Sequence, residues 1–309
     1  MTAAIRVSGT WRSASAIYVK VAGTWRSAST GWVRIAGTWS RWFGSVTRAF
    51  TTLSTNYPGG YGAVALGVSG TTLVRWSGES PVTAASYKCD VVTSTSTWTA
   101  VTNFPIATQG AYGGMISTTM YGMAGYPNLT GVYGTSNLGS SWTTYASCSS
   151  AYWHETTSNG CAQLSGAILK SGGFSSTCES FNGSAWTTRT SPSSSQGFGM
   201  LVDTPSRTYY TGGPGSESNV ANVYSTVGGA SWTNETSQPT ATRRTYGTNL
   251  DSKIIQLGGN SQSSVYIYSG TGGTWSAGIA VGFGDTYTTH TISPTAAYGT
   301  GFSNTWKYA

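Results

Sequence analysis

Apolar and polar positions alternate with a period of two in short runs along this chain. Ile17, Val19 and Val21 alternate with Tyr18 and Lys20, the pattern of a half-buried strand. The Ala-Gly-Thr step that follows supplies a tight turn, where glycine tolerates positive φ. The unit recurs every 14 residues, as "RVSGTWRSASAIYV", "KVAGTWRSASTGWV" and "RIAGTWSRW". The copies align Arg6, Lys20 and Arg34, then Val7, Val21 and Ile35, then Trp11, Trp25 and Trp39. The pattern predicts a meander of short hairpins over residues 1–44. A hairpin ladder this small is marginal in water, so the module needs a partner surface, a second copy, or the rest of the chain.

A longer period governs the remainder. Trp98, Trp142, Trp186, Trp232 and Trp275 are separated by 44, 44, 46 and 43 residues. "RAFTTLSTNYP" (48–58) mirrors "STWTAVTNFP" (96–105), which makes Phe50 the first member of the series. Some 26–30 residues after the key aromatic comes a strand ending in glycine, as in "AILKSGG", "TYYTGG" and "KIIQLGG". Self-similarity of this length is the signature of a propeller, one blade per period. The expected architecture is therefore all-β: a six-bladed β-propeller over 45–309, preceded by the small hairpin-repeat module. A strand from residues 45–53 would complete the final sheet and close the ring, leaving only short edges. Whether each aromatic opens its own blade or closes the previous one is not fixed by the spacing.

Composition sharpens this picture. Only 8% of residues are charged, about a third of the usual share, while Trp and Tyr are abundant. That combination argues against disorder and for many short strands joined by small-residue turns. No stretch approaches 18 apolar residues, so no membrane insertion is expected. The N-terminus lacks an apolar signal core, which predicts synthesis in a cytoplasm without general secretory export. Cys89, Cys148, Cys161 and Cys178 form no CxxC pair, which disfavours a structural zinc site. Cys148 and Cys161 fall within one repeat, as a disulfide or as buried free thiols.

The net charge of +7 is carried entirely by residues 1–48, with Arg6, Arg12, Lys20, Arg26, Arg34, Arg41, Arg48 and no acid. The remainder holds nine basic and nine acidic residues. A localised field of one sign points to an acidic partner for that segment, although such charges also keep exposed strands soluble.

The stretches "YVKVAGTWRS" (18–27) and "WVRIAGTWSR" (32–41) resemble the hairpin repeats of tail and fibre proteins of tailed bacteriophages. That resemblance implies a virion component assembled in the host cytoplasm, anchored to other tail or capsid proteins near this end and forming a homo-oligomer. Arg6, Trp11, Lys20, Trp25, Arg34 and Trp39 are the candidate anchoring residues. In the main body, the strand–Gly-Gly feature resembles the kelch repeat. "TSNLGSSW" (135–142) and, more weakly, "STVGGASW" (225–232) resemble the Asp-box hairpin, with Asn137 and Val227 at its acidic position. In that hairpin the small residues make the turn and the Trp packs between sheets.

Catalytic patterns are sparse. A sialidase-like site needs an arginine cluster and a Tyr–Glu pair, and glycosidases in general need two facing carboxyls. The nine acids are scattered one or two per blade, so only a pair meeting at the propeller channel keeps a glycan hydrolase open. His154 and His290, about three blades apart, argue against a copper site. No phosphate loop occurs, and no cofactor is expected. Arg interleaved with Trp resembles single-strand nucleic-acid binders, but the hairpin period accounts for the same residues, so no nucleic acid is expected. Aromatics outside the repeat marks, including Tyr57, Tyr61, Tyr112, Tyr126, Tyr145, Tyr246 and Tyr287, either fill space between blades or offer rigid contact area. Tyr152 and Trp153, in "AYWHE", are the candidate receptor contacts, for a host cell-surface glycan or protein. The reading that emerges is a non-enzymatic virion adhesion protein, with a purely structural virion component as its alternative.

Overall fold

Every regular element among the described residues of the computed structural model is a β-strand. The structure describes the backbone of the strands in residues 4–69 and 286–308. Between 72 and 278 it describes most residues with their side chains, apart from segments such as 79–81, 91–96, 126–129, 150–160, 172–176, 193–198 and 213–218. The chain divides into two compact units, Met1–Arg48 and Ala49–Ala309.

The first unit contains three separate two-stranded antiparallel sheets. They pair Ala4–Val7 (β1) with Thr10–Ser13 (β2), Tyr18–Val21 (β3) with Thr24–Ser27 (β4), and Gly31–Ile35 (β5) with Thr38–Phe43 (β6). One hairpin thus forms per 14-residue copy.

The second unit begins with Phe50–Leu53 (β7) and is a β-propeller. Five of its sheets are each built from four consecutive antiparallel strands. The first holds Ala65–Ser69 (β8), Thr72–Trp76 (β9), Ser86–Asp90 (β10) and Thr99–Ala100 (β11). The second holds Tyr112–Ile116 (β12), Thr119–Met123 (β13), Val132–Thr135 (β14) and Thr143–Tyr145 (β15). The third holds Cys161–Leu164 (β16), Ala167–Ser171 (β17), Cys178–Phe181 (β18) and Trp186–Arg189 (β19). The fourth holds Gly199–Asp203 (β20), Thr208–Gly212 (β21), Val223–Thr226 (β22) and Thr233–Asn234 (β23). The fifth holds Tyr246–Leu250 (β24), Lys253–Gly259 (β25), Gln262–Tyr268 (β26) and Trp275–Ala277 (β27).

A further four-stranded sheet is composite. Thr286–Ser293 (β28), Ala296–Gly301 (β29) and Thr305–Tyr308 (β30) are completed by β7, with Phe50 registered on Tyr308 and Leu53 on Thr305. The innermost strands β8, β12, β16, β20, β24 and β28 lie side by side in that order, and β28 lies beside β8. The two ends of the unit therefore meet in one sheet. The phase of the repeat is also settled: Trp186 and Trp275 open the outermost strand of their own blade, Phe50 opens β7, and Trp98, Trp142 and Trp232 immediately precede theirs.

Packing explains the apolar pattern of the middle strands. Each core cluster lies between two neighbouring blades. Val74 and Trp76 of the first blade meet Met120 of the second, while the adjacent Tyr121 turns to Ile168 and Phe181 of the third. In the same way Leu169 meets Leu201 and Tyr210, and Met200 and Tyr209 meet Ile254 and Tyr268. Successive residues thus bury on opposite faces, so these strands read as continuous apolar runs. Gly122 opens the space that the Trp76 indole fills: a Cβ there would stand under 3.0 Å from the Trp76 and Phe104 rings. Trp76 stacks on Phe104 with centroids 6.0 Å apart, and Trp142 meets both edge-on at 5.6 and 5.0 Å.

The tryptophan period has a hydrogen-bonding cause. The indole Nε1–H of Trp142 donates to the Thr102 carbonyl at 3.0 Å, Trp186 to Ala146 at 2.8 Å, Trp232 to Thr190 at 2.6 Å and Trp275 to Thr236 at 2.9 Å. Each acceptor lies four residues after the preceding tryptophan of the series, so each of the second to fifth blades is tied to the one before it. Where the acceptor residue is threonine, its hydroxyl answers by donating to a carbonyl two residues before the Trp: Thr102 to Ser140 at 2.6 Å, Thr190 to Ala230 at 2.6 Å, Thr236 to Gly273 at 2.8 Å. Ala146 has no hydroxyl to give. Ala146→Thr should restore the return bond, toward Ser184, and stabilise the protein by about 1 kcal/mol; chemical denaturation of the two proteins measures it, and a variant no more stable than wild type would contradict the reciprocal link.

Candidate functional site

The hairpin that resembles the Asp-box shows how the turn before a key tryptophan is held. Asn137 Oδ1 accepts the backbone N–H of Ser141 at 3.0 Å and the Thr135 hydroxyl at 2.8 Å, so the side-chain amide oxygen pins the turn. Leu138 and Gly139 both take positive φ, 57° and 80°, and the Gly139 N–H donates to Thr135 Oγ1 at 3.0 Å. In the weaker copy, Thr226 Oγ1 accepts from Gly229 at 2.8 Å. Val223–Thr226 and Val132–Thr135 are the equivalent strands, yet Trp232 follows Thr226 by six residues and Trp142 follows Thr135 by seven. The second turn is one residue shorter, and Val227 is exposed with no such role. Both turns are structural.

Two of the described carboxylates, Glu179 and Glu235, are drawn into contacts between blades. Glu235 accepts from Ser225 Oγ at 2.6 Å, from the Tyr268 hydroxyl at 3.0 Å and from the Gly272 N–H at 2.8 Å. Ser225 in turn accepts from Arg207 at 2.9 Å. Burial works to raise the Glu235 pKa, but these donors and the Arg207 charge together hold it below the ordinary value of 4.5. Burial, reinforced by Glu235, pushes the Tyr268 hydroxyl up to about 12.

A second cluster sits between the second and third blades. Lys170 and Glu179 are buried and 3.7 Å apart. Glu179 also accepts from the Ser149 hydroxyl, and the Lys170 ammonium lies 5.3 Å from the Trp186 ring centroid. Burial lowers the Lys170 pKa, against the opposing pull of Cys148 and Glu179. All four cysteines are free thiols, so no disulfide joins Cys148 to Cys161. Burial pushes Cys161 and Cys178 up to about 12, which keeps both thiols protonated and unreactive at neutral pH. Among the described residues no group of three or more His, Cys, Asp or Glu could hold a metal ion.

The residues singled out from the sequence fall into two sets. In the first unit the register brings the basic and aromatic marks together: Arg6 stands opposite Trp11, Lys20 opposite Trp25, and Arg34 opposite Trp39. Tyr152 and Trp153 lie outside the described residues, as does His154. His290 is registered on Tyr298 in the composite sheet. Tyr145 is a packing residue, edge-on to Tyr121 at 5.0 Å and to Phe181 at 6.3 Å. The sequence reading missed Thr102, Thr190 and Thr236, although a threonine four residues after a repeat tryptophan was there to be found.

A solved structure described as "Structure of YjhT" shares the fold. It aligns with a TM-score of 0.64 over 81% of this chain and 94% of that one, at 11% identity. At that identity the likeness is one of fold alone. No family model and no curated protein matches the chain. Among the described residues no helix is long and apolar enough to cross a membrane.

Two consequences are measurable. Lys170→Met leaves the Glu179 carboxylate buried without its cation and should cost about 3–5 kcal/mol, while Lys170→Met combined with Glu179→Met should cost less than the two single changes added. Urea denaturation at pH 7 provides the cycle, and strict additivity would show that the pair is uncoupled. Because the folded Glu235 pKa is depressed, its contribution to stability is present above 4.5 and is lost as pH falls through the folded value. The stability difference between wild type and Glu235→Gln should therefore shrink on acidification below that value; a difference that holds constant would remove Glu235 from the acid transition.

Proposed function

We propose that this protein is a non-enzymatic attachment component of a tailed-phage particle. The N-terminal unit docks to other tail or capsid proteins, and the propeller faces the host surface as a receptor-binding domain. The carrying observation is the threefold hairpin of the first unit, which resembles tail and fibre repeats and pairs a basic residue with a tryptophan in every copy. The propeller supports the reading through the use its residues are put to. Its repeat tryptophans and the carboxylates Glu179 and Glu235 are engaged in holding blades together. In this reading the composite sheet, completed by β7, serves as the sixth blade. Such a ring is a rigid support on which connecting loops are varied for recognition, and Tyr152 and Trp153 stay the candidate receptor contacts.

Deletion of residues 1–44 should abolish incorporation into particles, read by immunoblot of purified virions, while incorporation at the wild-type level would sink the docking role. The labelled full-length protein should bind host cells saturably without releasing reducing sugar. Release of sugar would make it a glycan hydrolase, and absence of binding by correctly folded protein would make it a purely structural particle component.

A further inference from the structure

The three hairpins repeat a register as well as a sequence. Arg6–Trp11, Lys20–Trp25 and Arg34–Trp39 are each directly opposed in their ladder, and opposed positions lie on one face of a two-stranded sheet. In the third copy Trp32 is registered on Arg41 two positions along, which places a second cation–tryptophan pair on that same face. The alternate positions carry different chemistry. Ile5 is opposed to Arg12, Val19 to Arg26, Val7 to Thr10 and Val21 to Thr24. Each hairpin thus has one cation–aromatic face and one face whose first strand is aliphatic.

The charge of this unit has no counterpart in the chain. Residues 1–48 hold seven cations and no acid, while the rest balances nine against nine. An anionic surface on another molecule would complement this excess. The topology favours discrete contacts. The hairpins are separate two-stranded sheets, whereas proteins that track a single nucleic-acid strand use a continuous basic groove lined by stacking rings. Separate, equivalent cationic points suit carboxylates displayed on a folded protein, and binding at several such points multiplies a weak contact.

We propose that the register-matched pairs Arg6/Trp11, Lys20/Trp25 and Arg34/Trp39 form a trivalent docking face for a protein surface rich in aspartate and glutamate. The proposal rests on reading the N-terminal unit as the docking segment and names the chemistry of its partner.

The test uses the full-length protein and immobilised poly-L-glutamate as the carboxylate probe, beside a single-stranded oligodeoxynucleotide and phosphatidylglycerol vesicles. The triple variant R6Q/K20Q/R34Q should weaken polyglutamate binding by about tenfold or more. The triple variant R12Q/R26Q/R48Q removes the same charge and should stay within about twofold of wild type, because Arg12 and Arg26 occupy the other face. R6K/K20R/R34K should bind as wild type does, since the repeat itself accepts either cation. Equal weakening by the two neutralising triples would overturn the proposal in favour of unspecific charge, and loss of binding in the charge-conserving variant would overturn it as well. Tighter binding of the oligonucleotide or the vesicles than of polyglutamate would assign the face to phosphate. Failure here is distinct from failure of the docking role, because the particle assay with residues 1–44 deleted makes no assumption about the anion.

Discussion

The hydrogen bond from a repeat tryptophan to the carbonyl four residues beyond the preceding one is the constraint on which the propeller depends. It fixes the distance along the chain between neighbouring blades, and it explains why the spacing tolerates only small departures from 44 residues. The indole also adds apolar area both between sheets, where Trp142 lies 5.6 Å from Trp76 of the preceding blade, and within its own sheet. Trp186 lies 5.0 Å from Phe181, and Trp275 lies 4.9 Å from Tyr268. A large ring with one polar atom suits this position, since its body needs burial and its N–H needs a partner.

In a chain with so few charges, several buried polar groups find their partners at the blade interfaces. Glu235 gathers three donors from its own blade and the next, and Glu179 joins Ser149 to Lys170. Burying an ion pair brings little net stability but makes misplacement of either partner costly. These networks therefore specify which blade follows which, while the apolar clusters provide most of the attraction. The composite sheet extends the same logic to the ring as a whole, because β7 gives the last three strands the outer edge they lack.

The two units use their aromatic residues differently. The propeller's aromatic period, which dominates the sequence, is spent on architecture, and Tyr145 belongs to that architecture too. The first unit is organised differently: short independent ladders, one sign of charge, and a cation facing a tryptophan in every copy. Its seven cations have no acid within the unit, while the rest of the chain holds nine residues of each sign.

The sequence by itself determined the two periods, and with them the hairpin unit, the all-β propeller and the strand that joins its ends. Periodicity was sufficient there because each repeat buries its face only against the next copy, so the spacing of aromatics records the spacing of blades. The tertiary structure alone decided that each repeat tryptophan opens or immediately precedes an outermost strand, that threonines answer the indoles, and that Asn137 holds the turn before Trp142. It also paired Lys170 with Glu179 across a ladder and each N-terminal cation with its tryptophan. These facts depend on register and on contacts between residues about 40 apart, and a linear pattern of residue types carries no information about which distant backbone group a side chain will meet.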